Sequence, residues 1–529
     1  MFIRRARKNR EEQSIGDILE STKTLKYNMI FYSFLIGILS GLVIVAYRIL
    51  GEKLFEIVIE LYGKASGKPL NMVVVLLCLI IASLFISFCV KQEPNISGSG
   101  IPQVEGIITR RIKVNWKKVL FFKFIGGIIS LAAGLSVGRE GPSIQMGAAV
   151  GEGVSRNANR LDSEQKYLIT SGASAGLAAA FNAPLAGVMF ALEEVHKNFS
   201  PVVLTSAMIS AVTADMVSKS ILGMNPSLRF SVLKIIPIKY YWTLIILGVL
   251  VGLSAYIFNH GLLITKHFYK KLPIILELKI MIPFIFSGIL GMTVPQLIGG
   301  GHEIITKLSV VDYSIIALLA FLVIKYLFTF ISFGSGVPGG IFFPLLALGA
   351  MIGSIFGIFC VKFLGIPREY IINFAVLAMA GHFAAIVKAP ITGIILIFEM
   401  TGSFEHLLSL ALVVFSALIT SDLLGVEPVY DLLLKGILTS KGKDIEIIEN
   451  DKKTLMEFAV HMGSKAEGKY ISEIDWPQNC LVVSVYRGDT EILPRGKTMI
   501  LEGDMLTVMV NQSDYPKMLD YLNELTIGA

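Results

Sequence analysis

Apolar runs separated by short polar stretches dominate the first 435 residues of the chain. The first two runs, at about residues 28 to 50 and 70 to 90, are long enough for a helix to cross a hydrocarbon layer of about 30 Å. Later runs, at residues 142–150, 167–181 and 184–192, are shorter and interrupted by glycine. Because lipid offers no hydrogen bonds to an interrupted backbone, such segments must line a cavity inside the protein. The pattern predicts a polytopic membrane protein with an interior path.

Two sequence blocks recur at a nearly constant offset. PSIQMGAAVG at residues 142–151 matches PLLALGAMIG at 344–353, and APLAGVMFALEE at 183–194 matches APITGIILIFEM at 389–400. Small residues that pack membrane helices could produce such similarity by chance, but two blocks in the same order favour an internal repeat. Repeated broken helices in halves of about 200 residues are typical of a secondary transporter or channel with its substrate at the repeat interface. We infer that the halves are inverted.

The composition agrees with a membrane protein, and the C-terminal segment has a more charged composition than the rest of the chain. Hydrophobic residues make up 54% of the 529 positions and charged residues 16%, with a mean hydropathy of +0.69. Such values exceed what the solvated surface of a soluble domain allows. Charged residues form about 28% of the last 89 positions but only about 14% of the first 440. A small water-soluble domain therefore follows the membrane body.

The basic residues predict the orientation of the chain. Seven Lys and Arg residues lie in the first 26 positions, with no apolar core before residue 28, so we expect no cleavable signal peptide and a cytoplasmic N-terminus. The basic loop from Arg110 to Lys118 should also be cytoplasmic, after two crossings. The net charge of +7 lies in loops and termini and does not indicate nucleic-acid binding. The four cysteines have no spacing typical of a zinc site or a disulfide framework.

Three glycine-rich turns precede prolines that suit the first turn of a helix. They are GSGIP at 98–102, GREGP at 138–142 and GGIFFP at 339–344. A helix start presents unpaired N–H groups and the positive end of the helix dipole, which can hold a partly dehydrated anion without a fixed positive charge. One such turn could merely end a helix. Three of them among broken membrane helices favour an anion path.

The segments GSGIPQVEG, GREGPSIQMG, GGIFFP and GVEPVYDLL resemble, in order and spacing, the signature segments of the CLC chloride channels and proton/chloride antiporters. The resemblance covers about residues 28 to 435. It implies an all-α polytopic membrane protein built from two inverted repeats with broken helices. It also implies a homodimer in which each subunit has its own pore.

The resemblance also implies which residues bind the anion. Two hydroxyl donors and three backbone positions would surround a central chloride: Ser99 and Tyr430, then Gly340, Ile341 and Phe342. Arg139 to Gly141 would form an outer site, with Glu140 as the gating glutamate. The serine of GSGIP favours chloride, since nitrate-selective relatives carry proline there and fluoride-exporting relatives usually depart from serine.

A carboxylate at membrane depth is costly unless it has a function, and Glu140 lies beside helix starts that attract anions. Ionised Glu140 would occupy an anion site and block it, whereas protonated Glu140 would leave. Proton uptake would thereby be coupled to anion movement. A salt bridge with Arg139 is the alternative, although neighbours in sequence rarely face one another.

Proton transport from the cytoplasmic side requires a second acid. Glu194 matches the internal proton glutamate of the antiporters, which passive channels of the family typically lack. The alternative is a solvated charge at a helix end. Glu193 and Glu399 are predicted to be structural. Lys123 matches a basic residue of the family's membrane core, where it would tune the potential of the pathway, unless it extends to the interface.

Two enzyme hypotheses fail on the residues. His302 and Glu303 begin an HE pair, but Thr306 occupies the position that a HExxH zinc motif needs for its second histidine. An intramembrane serine protease could use Ser174 and His382, but nothing in the sequence orients that pair, and the small residues around Ser174 are typical of helix packing.

The soluble tail has strand-like runs at 479–486 and 499–510, the second interrupted by a predicted hairpin turn at 502–504. A last helix follows, which Ser513 or Asp514 could cap. Residues 443 to 525 resemble the TrkA-C subdomain of RCK regulators of potassium transport, an α/β domain that commonly pairs two-fold and in some bacteria binds cyclic di-AMP. Candidate nucleotide contacts are Arg487, Arg495 and Lys497. A potassium channel is not supported, because no TVGYG-type filter is present.

We therefore predict a cytoplasmic segment at 1–27, a CLC transmembrane domain at 28–440 and a TrkA-C regulatory domain at 441–529. The function predicted is proton-coupled chloride antiport across a bacterial plasma membrane, with both termini in the cytoplasm. The alternative is a passive chloride channel of the same fold. Neither an enzymatic activity nor a cofactor is expected, apart from cyclic di-AMP as a candidate regulator.

Overall fold

A computed structural model describes residues 15–160, 162–197, 201–224, 227–228, 234–440, 453–477, 480–488, 490–511 and 514–526. The basic cluster predicted before residue 15, the start of the tail at 441 and Ser513 lie outside the described residues. The chain forms two compact units that divide between Gly436 and Ile437. In the described residues, all regular secondary structure of the first unit is helical. The second unit contains a small sheet and a helix, and both agree with the predicted fold class.

The membrane unit consists of helices joined by short turns. In chain order the helices are α1 Ile15–Ala65, α2 Pro69–Gln92, α3 Ile101–Ile108, α4 Trp116–Ala132, α5 Glu140–Asn157, α6 Asp162–Phe181, α7 Pro184–Phe190, α8 Pro201–Leu222, α9 Tyr241–Lys271, α10 Leu276–Thr293, α11 His302–Lys307, α12 Ile315–Gly334, α13 Phe342–Leu364, α14 Ile371–Val387, α15 Pro390–Thr401, α16 Leu407–Leu423 and α17 Val429–Ser440. A π-helical turn, Ala191–His196, continues α7. Among the described residues, eight helices are long and apolar enough to cross a membrane.

Three of the predicted apolar segments are longer than expected. The first apolar span, predicted at 28 to 50, runs over Tyr27–Ala65. At a rise of about 1.5 Å per residue it is roughly 58 Å long, so it must tilt or project beyond a layer of about 30 Å. The runs at 142–150 and 167–181 lie within helices α5 and α6, of 18 and 20 residues. Apolar patterns miss the polar ends of such helices; in α5, a 2.5 Å ion pair between Glu152 and Arg156 supports the last turn.

The internal repeat extends through nearly the whole membrane unit, because α1 to α8 recur in the same order as α9 to α16. Contacts between the halves are reciprocal. The amide of Gly138 donates to the carbonyl of Gly340 at 2.7 Å, and the amide of Gly340 donates back at 2.8 Å. These two glycines are 202 residues apart, the offset of the first repeated block. Exchange of equivalent bonds between equivalent residues is what a two-fold relation between the halves produces.

The C-terminal unit contains an antiparallel sheet in the order β1-β4-β2-β3, with β1 Lys453–Ala459, β2 Cys480–Arg487, β3 Thr490–Ile492 and β4 Met505–Asn511. Helix α18, Tyr515–Thr526, contributes Met518, Leu522 and Leu525 to the core beneath the sheet.

Two predictions for this unit were incomplete or wrong. Strand β1 was not predicted, although it pairs along its whole length with β4. The hairpin predicted at 502–504 does not form, because the hairpin joins β2 to β3, and β4 instead pairs with β1 and β2. Gly488, with φ of +57°, supplies the left-handed turn residue after β2. The predicted turn sequence at 502–504 makes a local turn in which the amide of Asp504 donates to Leu501.

Candidate functional site

The three glycine-rich turns predicted to start helices meet in the interior of the membrane unit. Gly98 donates its amide to Val337 at 3.1 Å and accepts from Gly339 at 3.0 Å, which joins the turn before α3 to the turn before α13. The reciprocal bonds between Gly138 and Gly340 join the turn before α5 to the same segment. The N-termini of α3, α5 and α13 are therefore held together by backbone hydrogen bonds, and their dipoles favour negative charge between them.

Glycine is required where these turns approach one another. A Cβ atom on Gly141 would lie 2.5 Å from the Ser99 hydroxyl oxygen and 2.6 Å from the Ser99 carbonyl oxygen. Gly100, the residue before α3, has φ of +96°, a left-handed conformation that side chains rarely adopt. The turn can expose Ser99 to the first turn of α5 only with both glycines in place.

Ser99 and Tyr430 lie side by side with buried hydroxyl groups. Ser99 is 2% exposed and Tyr430, in the first turn of α17, is fully buried. Ser99 is the polar side chain next to the Tyr430 hydroxyl, yet neither oxygen has a hydrogen-bond partner of ordinary geometry in the described part of the chain. Because a buried hydroxyl without a partner costs about 1–3 kcal/mol, the pair is suited to donate to a bound anion.

Glu140 is fully buried at the start of α5. Both carboxylate oxygens lack a hydrogen-bond partner of ordinary geometry within the described residues, and the backbone donors that act on them are the amides of Glu140 and Phe343. The side chain folds back over Gly138, where a Cβ atom would lie 2.1 Å from Glu140 Oε2. The carboxylate thus lies at the N-terminus of α13, a position that suits an anion.

The segment from Gly340 to Phe342 opens α13. Gly340 uses its amide to bond Gly138, so the amides of Ile341 and Phe342 are the donors that an anion at this helix start would use. The Phe342 ring packs against Phe383, with ring centroids 4.6 Å apart, and against Phe190 at 6.0 Å. This aromatic packing orients the first turn of α13.

Arg139 forms its ion pair with Glu52 rather than with Glu140. Its guanidinium pairs with Glu52 of α1, so the salt bridge between Arg139 and Glu140 that was an alternative for Glu140 does not form. Both residues line a cavity of about 680 Å³ whose walls also include Tyr47, Gly300 and His302. The cavity reaches Glu140 and gives the site a route away from the anion-binding turns.

Glu194 lies in the π-helical turn after α7 and is 3% exposed. The alternative of a solvated charge at a helix end is therefore wrong. Its Oε1 has no hydrogen-bond partner among the residues described, and the charges that act on it belong to Lys197, Asp431, Glu105 and Glu193. A buried carboxyl group beside other acids and one lysine can hold or release a proton.

Glu193 and Glu399 have reciprocal structural roles. Glu193 accepts from the amide and hydroxyl of Thr392 at 2.8 and 2.7 Å, at the start of α15. Glu399, near the end of α15, accepts from the amides of Leu185 and Ala186 at 3.1 and 2.7 Å, at the start of α7. Glu193 therefore caps the N-terminus of α15, the helix that carries Glu399. Glu399 caps the N-terminus of α7, the helix that continues into the turn with Glu193.

Lys123 is fully buried and does not extend to the interface, so that alternative is wrong. Its ammonium donates to the carbonyls of Ile96 and Gly98 at 2.8 and 2.6 Å, on the turn that carries Ser99. Lys325 does the same in the second half, where it donates to Leu297 and Gly299 at 3.0 and 2.6 Å. Lys325 was not predicted, although its separation of 202 residues from Lys123 is the repeat offset.

Ser174 and His382, the pair considered for a serine protease, have other hydrogen-bond partners. His382 Nδ1 contacts the Leu345 carbonyl at 2.8 Å and Nε2 contacts the Ser254 hydroxyl at 3.0 Å, whereas Ser174 donates to the Ala207 carbonyl at 3.3 Å. Over the described ranges, no group of three or more His, Cys, Asp or Glu residues could hold a metal ion.

Of the three candidate nucleotide contacts in the tail, Arg487 already has a partner. It binds both carboxylate oxygens of Asp504 at 2.8 Å and the Met499 carbonyl at 2.8 Å. Burial alone would raise the pKa of Asp504, but the Arg487 guanidinium and the Leu501 amide lower the pKa below its usual value. Arg495 and Lys497 are exposed on the turn that follows β3.

Comparison with known families matches both units. Residues 82–422 match the family model described as voltage gated chloride channel, and residues 455–523 match the model of the TrkA-C domain. The H(+)/Cl(-) exchange transporter ClcA of Vibrio campbellii is 35% identical over 440 residues, covering 81% of this chain and 94% of that protein. The protein of the same name from Citrobacter koseri is 33% identical over 363 residues, or 67% of this chain and 76% of that protein.

Solved structures match as well. A slow cyanobacterial Cl-/H+ antiporter has a TM-score of 0.75 and 28% identity, covering 78% of this chain and 99% of that one. A eukaryotic CLC transporter has a TM-score of 0.65 and 20% identity, covering 78% of this chain and 75% of that one. The second likeness concerns the fold alone.

Proposed function

This chain belongs to the voltage gated chloride channel family, and from that premise we propose that it exchanges chloride for protons across a bacterial plasma membrane. It is a multi-pass membrane protein, and relatives named for H(+)/Cl(-) exchange align with four fifths of its length. The antiport, the site residues and the cytoplasmic position of both termini are parts of the proposal. It includes neither an enzymatic step nor a cofactor.

One observation carries the proposal. The Ser99 and Tyr430 hydroxyls and the Glu140 carboxylate are buried near joined helix N-termini, without hydrogen-bond partners of ordinary geometry in the described part of the chain. Buried polar groups normally have partners, and such an exception calls for a ligand or a function. Chloride accepts hydrogen bonds from hydroxyl groups and from amides such as those of Ile341 and Phe342.

The proposed exchange uses Glu140 in place of chloride. When ionised, its carboxylate occupies the helix-start position near the Phe343 amide and blocks the path. When protonated, it loses the attraction of the helix dipole, moves out toward the cavity shared with Arg139, and admits chloride. One group thereby serves as gate and as proton carrier, so anion and proton movement are linked.

Glu194 would supply the proton from the other side. Its burial beside Lys197, Glu105 and Asp431 supports a proton-holding role over a solvated charge. A passive chloride channel is the second candidate, favoured by the close approach of Ser99 to Gly141, the residue after Glu140, which places two proposed anion-binding positions next to each other. The two candidates differ in whether Glu194 moves protons.

Assembly and regulation complete the proposal. We propose a homodimer, which the membership in this family supports. Two TrkA-C tails paired with each other would bind a cyclic dinucleotide, with cyclic di-AMP as the candidate. Because Arg487 is held by Asp504, Arg495 and Lys497 are the better candidate contacts. Calorimetry on the full-length protein with cyclic di-AMP tests this part.

The antiport is tested in proteoliposomes with a chloride electrode and a pH electrode in the same chamber. An outward chloride gradient should drive protons inward against their own gradient. Protein-dependent chloride flux with no proton movement would support the passive channel. Absence of chloride flux would reject both candidates.

A further inference from the structure

An ion cluster connects three segments that carry different parts of the proposed site. The ammonium of Lys197 donates to Glu105 Oε1 at 2.8 Å and also bonds the carboxylate of Asp431. Glu105 lies on α3, which starts directly after the Ser99 turn, and Asp431 follows Tyr430 on α17. Lys197 itself ends the π-helical turn that contains Glu194.

Lys197 has a backbone conformation that is uncommon for a residue other than glycine, and its ion-pair partner Glu105 is largely buried. The Lys197 φ of +55° lies in the left-handed region, which costs free energy for a residue other than glycine. Its side chain is 38% exposed, while that of Glu105 is only 9% exposed. The bond to Glu105 is therefore partly shielded from solvent and is stronger than a surface ion pair.

The members of the ion cluster also interact electrostatically with the Glu194 carboxyl group. Lys197, Asp431, Glu105 and Glu193 are the charged groups that act on the Glu194 carboxyl group. Glu193 is occupied as the cap of α15. The remaining three are the members of the cluster, so adding or removing a proton at Glu194 changes the electrostatic balance within it.

We propose that Lys197 is a positioning residue that couples the protonation of Glu194 to the Ser99–Tyr430 pair. The inference rests on the proposed antiport and deepens it. When Glu194 is ionised, three carboxylates repel one another and compete for one ammonium group. When Glu194 holds a proton, Lys197 is attracted only to Glu105 and Asp431, so the ion pairs that link α3 to α17 become stronger. Ser99 and Tyr430 are then held together, and chloride passes between them mainly after Glu194 has released its proton.

The first test replaces Lys197 with methionine, whose unbranched side chain is one atom shorter and carries no charge. Lys388→Met is the matched control, because Lys388 also has left-handed φ, of +67°, and pairs at 2.6 Å with Asp422 of α16, which is not a member of the cluster. In proteoliposomes, Lys197→Met should raise chloride turnover about threefold to tenfold and lower the number of protons moved per chloride by a similar factor. Lys197→Arg should restore both values, and Lys388→Met should leave them within about twofold of the unmutated protein.

The second test does not depend on transport. Glu194→Gln imitates the protonated acid, so it should slow hydrogen–deuterium exchange in α3 and α17 of the detergent-solubilised full chain. The same substitution in the Lys197→Met background should leave exchange in both helices unchanged. If Lys197→Met cannot be purified as a folded protein, Glu105→Gln, which removes the charge attraction between Glu105 and Lys197, serves in its place.

The outcomes separate this inference from the antiport proposal. Equal chloride flux and equal proton coupling in Lys197→Met and Lys388→Met would overturn the role proposed for Lys197. The same change in hydrogen–deuterium exchange on Glu194→Gln, with or without Lys197, would also overturn it. If the unmutated protein moves chloride without protons, the antiport proposal fails, and the exchange measurements still decide whether Lys197 couples Glu194 to α3 and α17.

Discussion

Gly141 leaves no room for a methyl group beside Ser99. A Cβ atom there would lie 2.5 Å from the Ser99 hydroxyl oxygen, whereas ordinary contacts of a Cβ atom begin at 3.4 Å. In Gly141→Ala the hydroxyl group must therefore move by about 0.9 Å, and a misplacement of about 1 Å in a binding constellation typically costs about a hundredfold in rate.

The surrounding structure limits how Ser99 can move. Gly98 is bonded to Val337 and Gly339, so the turn cannot shift as a body without losing backbone hydrogen bonds. Alanine is also the better helix former by about 1 kcal/mol, so Gly141→Ala should not weaken α5 itself. We expect chloride flux to fall about 10- to 100-fold, with weaker chloride binding.

The measurement is chloride efflux from proteoliposomes together with calorimetric titration of chloride. Gly63→Ala is the control, because a Cβ atom at Gly63 of α1 would meet nothing within 4 Å. Flux and affinity of Gly141→Ala within about twofold of that control would refute the placement of Ser99 at the anion site.

Four further predictions concern the gate, the proton path, selectivity and the tail. Glu140→Gln should retain chloride flux and lose proton coupling, because the amide imitates the protonated acid; continued chloride-driven proton pumping would contradict the gate assignment. Glu194→Gln should lose proton movement in the same two-electrode recording and keep a reduced chloride flux, because the amide also imitates the protonated acid that holds Ser99 and Tyr430 together; normal coupling would place the relay elsewhere. Ser99→Pro removes a hydroxyl and an amide donor, so the preference for chloride over nitrate in competition flux should shrink, and unchanged selectivity would argue against Ser99. Arg487→Met strands the buried Asp504 carboxylate and should destabilise the tail by about 2 kcal/mol, seen as faster deuterium exchange in β2 and β4 of the full chain. Folding lowers the pKa of Asp504, so the ion pair with Arg487 stabilises the tail fully above the unfolded pKa of about 4. The stabilisation is lost as pH falls through the folded pKa. Arg487→Met should not show this loss of stability at low pH.

Local patterns in the sequence predicted much of the architecture. Broken apolar runs, proline-capped glycine turns and two repeated blocks indicated inverted repeats with helix starts directed at an interior path, and the family and fold class that they resemble are confirmed. The tail was also identified as TrkA-C from its sequence. Helix starts and turn chemistry depend on residues a few positions apart, so they can be recognised without knowledge of the fold.

Contacts between distant segments were decided by the tertiary structure. Nothing near Glu193 or Glu399 in sequence indicates that each caps a helix start about 200 residues away. Strand β1 was missed because β4, its partner strand among the described residues, begins 46 residues after β1 ends. The sequence identified Glu194 as an acid of interest, but its burial and the cluster around Lys197 arise only where α3, α17 and the π-helical turn meet. Such partners are set by how the two halves pack, and packing depends on the whole chain at once.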